Sequence, residues 1–317
     1  MKKVLVIAVS SALAGGAFGE WVYEGKWGTS GSGQGQFDEP GGIAVAPNGN
    51  VYVGEIINDR VQYFSPDGSF LGMWYGSPRL NTPLGVDVAP NGTVYIAEHH
   101  GHRVQYFTPT GSTLGYWGAQ GYGDGFFNRP EGIAIAPNGN VYVADGLNHR
   151  IQYFTPNGSF LGKWGTPGTG DGQFNNPGGV AVAPGGRVYA TDHNTNRVQY
   201  FTATGSFLGK WGSHGPENGQ FEGPRGLIVT ADRKVFVADQ YHNRVQYFTL
   251  TGSYLGKFGT GIGNGNGEFH YPWDVAFSPT GARLYVSDTW NDRVQYFRWS
   301  APAVTPASLG RVKALFR

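Results

Sequence analysis

FNRPEGIAIAPNGNVYVADGLNHRIQYFTPNGSFLGKWG, running from Phe127 to Gly165, is the stretch whose reading decides the fold. Four short runs in it have strand composition: Gly132 to Ala136, Val141 to Ala144, Arg150 to Phe154 and Ser159 to Trp164. The first is small and apolar. The others carry the Val, Tyr, Phe and Trp that suit a pleated, half-buried surface. Between them lie Pro-Asn-Gly-Asn, Asp-Gly-Leu-Asn-His and Thr-Pro-Asn-Gly. Asn-Gly between β-formers signals a hairpin, because both residues tolerate positive φ. Arg-(Val/Ile)-Gln-Tyr-Phe recurs six times, from Arg60, Arg103, Arg150, Arg197, Arg244 and Arg293, at spacings of 43 to 49 residues. Four antiparallel strands per unit at this period predict a propeller blade. The expected fold is all-β: a six-bladed β-propeller of four-stranded antiparallel blades.

Working outward, side-chain size assigns the strands. Gly, Ile and Ala in the first strand are small enough to crowd around a central axis. Trp27, Trp74, Trp117, Trp164, Trp211 and Phe258 in the fourth fill the widening gap between outer edges. Lys26, Lys163, Lys210 and Lys257 precede that aromatic, where charge discourages edge-to-edge pairing. After the sixth Arg-Val-Gln-Tyr-Phe no fourth strand follows, but Trp21 to Gly28 has its pattern. The N-terminal strand, about 21–28, is therefore expected to join the last blade and close the ring.

Composition agrees. Gly 53 and Pro 19, with 15% aromatic and 14% charged residues, suit many short strands separated by turns and suit neither a helical bundle nor a disordered chain. A net charge of +1 gives no cationic surplus for nucleic acid. The absence of cysteine excludes disulfides and thiolate chemistry. Lys2 and Lys3, the apolar run Val4 to Ala14 and the small residues ending at Gly19 read as a secretory signal, with an uncleaved anchor as the alternative. The expected organisation is a leader over 1–19, the propeller over 20–299 and a linker with a short tail over 300–317. The tail reads either as a docking or sorting peptide or as a disordered end. The mature chain is expected to be exported, a monomer, and free of any membrane-spanning segment.

The pattern Pro-x-Gly-(Ile/Val)-Ala-Val-x-Pro-x-Gly-x-Val-Tyr-Val-Ala-Asp-x-x-Asn-x-Arg-Val resembles the NHL repeat, over residues 21 to about 299. The resemblance implies a six-bladed propeller. It does not imply one function, since propellers of this kind include RNA-binding subunits, sensor domains and lyases.

Chain direction sorts the loops onto two faces. First-to-second and third-to-fourth turns are nearly uniform Pro-Asn-Gly variants. The other face carries the variable loops and all eight histidines. An acid ends each second strand five residues before its arginine: Glu55 and Arg60, Glu98 and Arg103, Asp145 and Arg150, Asp192 and Arg197, Asp239 and Arg244, Asp288 and Arg293. A charge pair repeated in every blade is expected to be structural, since a catalytic group has no reason to occur six times. His99, His100 and His102 form the one histidine cluster and are a weak metal candidate; a solvated loop is the alternative. No cofactor is expected.

One unit departing from the other five is more informative. After the loop proline stand Gly41, Leu84, Glu131, Gly178, Arg225 and Trp273. The next position is glycine except for Asp274, and Asp87 stands where other blades have Ala or Ile. Glu131, Arg225, Trp273, Asp274 and Asp87 are the candidate ligand-binding set at the channel mouth; a Glu131–Arg225 bridge, or simple solvation, is the alternative. Two functions follow. One is a secreted scaffold that binds a protein, glycan or small molecule through the loop-rich face. The other is a metal-dependent lyase or lactonase-type enzyme at the mouth.

Overall fold

The computed structural model describes residues 19–301, so the expected leader up to residue 18 and the tail from 302 lie outside the described residues. Six four-stranded sheets follow one another along the chain. Blade one spans 40–74, blade two 83–117, blade three 130–164, blade four 177–211 and blade five 224–258. Blade six takes its first three strands from Pro272–Phe277, Arg283–Asp288 and Arg293–Ser300, and its fourth from Glu20–Trp27. The ring closes as the sequence predicts.

Two units divide the described residues: Tyr23–Arg298, which holds the ring, and residues 19–22 with 299–301. In the described part of the second, Trp21 meets Trp299 edge-on at 5.5 Å. Within the ring, Trp27 packs against Tyr285 and Tyr296 of blade six and Phe64 of blade one. Trp74 does the same with Tyr52, Tyr63 and Phe107 one blade on. The closing strand therefore reproduces an ordinary seam. Five of six seams also carry a hydrogen bond from a second-strand tyrosine to the next blade's turn, as from Tyr142 Oη to the Ala203 carbonyl at 3.0 Å. Blade five has Phe236 in that place, edge-on to Phe277 of blade six at 4.9 Å.

First strands are innermost, and each begins irregularly. In blade three Pro130 pairs with Asp145, then the register shifts before Ile133 pairs with Val143. The same shift follows Pro40, Pro83, Pro177, Pro224 and Pro272. A bulge leaves residues unpaired and re-aims their side chains. Here it frees the residue after the proline at the end of the central channel.

The acid and arginine of each blade face each other across the second and third strands, as Asp145 faces Arg150. Arg150 Nε donates to Asp145 Oδ2 at 2.8 Å, and its Nη atoms donate to the carbonyls of Tyr122, Gly123 and Phe126. Gln152 donates to the same carboxylate, whose Oδ1 accepts from the Asn128 amide at 2.7 Å. One buried knot thus fixes the loop that enters the blade. All six pairs form, at 2.5 to 3.0 Å. Burial pushes the Asp145, Asp192, Asp239, Asp288 and Glu98 carboxyls above their ordinary values, against the pull of their hydrogen bonds and arginines. Such pairs set geometry more than they add net stability.

Candidate functional site

Three tiers of side chains surround the channel end on the loop-rich face, and each comes from one repeat position. The floor is the residue after the loop proline. The wall is the residue after the second-strand acid: Ile56, His99, Gly146, His193, Gln240 and Thr289. The rim is the next one: Ile57, His100, Leu147, Asn194, Tyr241 and Trp290. Every blade makes the same tight turn here, closed by a left-handed residue before the arginine, as at His149 with φ 54°. That turn lifts the rim side chain into solvent whatever it is.

On the floor, Glu131 of blade three and Arg225 of blade five form an ion pair across blade four. They reach each other because blade four has Gly178 between them, whose Cβ position lies 3.5 Å from Glu131 Oε2. Asn176 Nδ2 donates to Glu131 at 3.2 Å, and Gln240 accepts from Arg225 Nε at 3.2 Å. The Arg225 guanidinium lies over the Trp273 ring at 4.4 Å. Three of the five candidates therefore make one contiguous floor, and its charges cancel.

The two aspartates lie deeper and serve the seams. Asp274 accepts from its own neighbour Val275 N at 2.8 Å and from Ile43 N of blade one at 3.1 Å. Asp87 accepts from Val88 N at 2.8 Å and from Ile135 N of blade three at 2.7 Å. An aspartate on a small apolar strand needs a partner, and each finds two backbone amides. A side chain at Gly226 would overlap the Asp274 carboxylate, so the unit's one departure is matched by its neighbour's glycine. Burial pushes Asp87 up to about 6 and Asp274 up to about 7, the amide bonds pulling the other way.

All five candidates line one axial cavity of about 210 Å³. Small-molecule sites begin at ~300 Å³, so the axial space is too small for a drug-sized ligand.

Only two of the three clustered histidines meet, His99 and His100 standing edge-on with centroids 4.7 Å apart. His100 Nδ1 sits 2.8 Å from the Thr82 hydroxyl, while His102 Nδ1 accepts from the Arg129 amide. His99 is half-buried, and that burial, helped by His100 and Arg129, lowers it to about 3. Among the described residues no three His, Asp or Glu side chains come together as a metal ion requires. The residues present do not fit a metal-dependent reaction. In the Gly-Asp-Gly loops at 123–125 and 170–172, Asp124 pairs with Lys163 and Asp171 with Lys210 at the surface.

The candidate ligand-binding set drawn from the sequence includes neither Trp290 nor the rings around it. Trp290 is 51% exposed and stacks on Tyr271, with centroids 3.9 Å apart and planes 11° apart. Tyr241 stands edge-on to Tyr271 at 5.3 Å, and His193 lies 5.8 Å beyond it. Aligning the six units at the acid-plus-two column would have found Tyr241, Leu147 and Ile57, all exposed.

The NHL repeat family matches at residues 80–107, 127–154 and 174–201, which fall in blades two, three and four. No curated protein matches the sequence. Among solved structures, a protein of unknown function from Bacteroides thetaiotaomicron is similar with a TM-score of 0.69 and 17% identity, over 86% of this chain and 74% of that one. Virginiamycin B lyase from Staphylococcus aureus gives 0.60 and 17%, over 91% of each chain. A gluconolactonase from Xanthomonas campestris gives 0.64 and 15%, over 84% of this chain and 88% of that one. At these identities the likeness is one of fold. Six closed four-stranded blades, with the repeat matched in three of them, make this chain an NHL-repeat six-bladed β-propeller.

Proposed function

We propose that the protein is a binding module that holds a ligand on its loop-rich face without transforming it. The observation that carries this reading is the rim, where one column of the repeat places Ile57, Leu147, Tyr241 and Trp290 in solvent at 41 to 55% exposure. The fold needs none of them, since His100 and Asn194 fill the same place in other blades. Exposed apolar groups recurring on one face mark an interaction surface. The charged floor is self-neutralised, and the deep carboxylates are engaged by backbone amides.

The apolar leader over 1–19 supports an exported protein, testable by the mass of the mature chain. Lysines on four outer edges support a monomer, testable by sedimentation. For the binding reading, an apolar fluorescent dye such as bis-ANS serves as reporter against a variant with Ile57, Leu147, Tyr241 and Trp290 all changed to Ser. Wild type is expected to bind the dye at least about ten-fold more tightly. Equal binding by the two would remove the rim as a ligand surface.

A second reading, a lyase or lactonase-type enzyme at the mouth, draws on Asp87 and Asp274, whose carboxyls sit near neutrality in a cavity. Steady turnover of a lactone that is lost in Asp274→Asn would favour it.

A further inference from the structure

The aromatic group on one side of the rim has a geometry that selects among ligands. Tyr271 backs one face of the Trp290 indole. The imidazole of His270 lies 5.0 Å from the indole centroid and 5.5 Å from the Tyr271 centroid, edge-on to both. Two rings only 3.9 Å apart with a third almost equidistant from them require that third ring to stand beside the stack. His270 therefore does not cap the far face of the indole. That face, on a residue half in solvent, is open.

The platform is held before any ligand arrives. Tyr271 sits in the left-handed region at φ 56°, with its amide donating to Asn243 Oδ1 at 2.8 Å. The amide of Trp290 donates to the His270 carbonyl at 3.0 Å, and that of Tyr241 to the Glu222 carbonyl at 3.1 Å. Preorganised side chains lose little entropy on binding.

The edges of this aromatic group are polar and unspent. Among the described residues, the hydroxyls of Tyr241 and Tyr271, the indole N–H of Trp290 and the His270 ring nitrogens make no hydrogen bond. Tyr and Trp combine a flat apolar body with a polar tip. Arg225 is already paired with Glu131, and Asp292, two residues from Trp290, accepts from the Glu39 amide. A ligand suited to this place has a flat C–H face, a periphery of hydroxyls and no net charge. A pyranose ring has all three properties. An aromatic peptide side chain would use the indole and leave most of the surrounding donors and acceptors without partners, a cost wherever they become buried.

We propose that Trp290, backed by Tyr271 and flanked by His270, is a saccharide platform that stacks a neutral pyranose unit on the open indole face. This rests on the reading of the rim as a binding site and names the class of ligand. Isothermal titration with cellotetraose, chitotetraose, maltotetraose and mannotetraose tests it, alongside a neutral Phe-rich peptide as control.

At least one tetrasaccharide is expected to saturate the protein. Trp290→Ala should weaken it at least about ten-fold, Trp290→Phe should recover part of that loss, and the melting temperature should stay unchanged. No binding by any of the four sugars, or undiminished binding by Trp290→Ala, overturns the proposal. Trp290-dependent binding of the peptide without any sugar binding overturns the saccharide assignment and leaves the binding reading standing. Loss of dye, peptide and sugar binding alike would remove both.

Discussion

The six acid–arginine knots and the six rim residues lie in the same hairpins, two to three residues apart, and are opposites. In the knots the chain writes nearly the same thing six times, buries it and satisfies it from several directions. At the rim it writes six different things and leaves them in water. The difference separates what the ring needs in order to exist from what it is free to vary. Repetition within one chain thus distinguishes a structural charge from a functional surface without reference to any other protein.

The comparison is broken most directly at a knot. Arg150→Ala leaves Asp145 buried with no counter-charge and takes a donor from three loop carbonyls, that of Tyr122 having no other among the described residues. A loss of about 3–5 kcal/mol is expected in urea unfolding. Arg103→Ala in blade two should cost less, because Arg103 is 18% exposed and reaches one loop carbonyl, that of Arg79. Equal losses at the two sites would mean that burial is not what makes the knot matter.

The deep aspartates sharpen the comparison through pH. Their folded pKa values lie above the unfolded carboxylate value, so the folded state keeps protons that the unfolded state releases. Their contribution is therefore greatest at low pH and is lost as pH rises through about 6 and 7. His99 and His193 act oppositely, because burial lowers them to about 3 and 4 and the unfolded state is the one that takes up the proton. Between pH 6.5 and 8 the histidines and the carboxyls therefore pull in opposite directions, and the test is the difference between two proteins. Wild type is expected to lose melting temperature relative to Asp274→Asn as pH rises from 6.5 to 8. A relative loss in the variant would contradict the assignment. At the far end of the scale, the four-serine rim variant should stay within about 0.5 kcal/mol per site of wild type.

How much of this was readable in advance follows the same division. The ring, its closure and the knots were legible because each rests on a pattern repeated six times, and a hairpin's register forces an acid and an arginine five apart to face each other. The five mouth residues were legible as departures but not as a structure. Glu131 and Arg225 meet over a whole intervening blade because Gly178 is there, and nothing local in the chain couples those three positions. Asp87 and Asp274 look like channel ligands in sequence, yet their oxygens are taken by amides of the following blade, a contact that exists only once the blades are side by side. Tyr271 and Tyr241 were missed for a similar reason. They come from different loops, and only the ring brings them beside Trp290.

The strand that completes blade six is made first and used last. Glu20–Trp27 leaves the ribosome long before Arg293–Ser300, its hydrogen-bonded neighbour, exists. During that interval blades one to five can each form from local hairpins, while Trp27 has no Tyr285 or Tyr296 to pack on. Any product that stops early is an open arc with a bare edge at one end and an unsatisfied tryptophan strand at the other, the kind of species that chaperones hold and proteases clear. The permutation that makes the finished ring seamless also makes completion of synthesis the condition for hiding its ends.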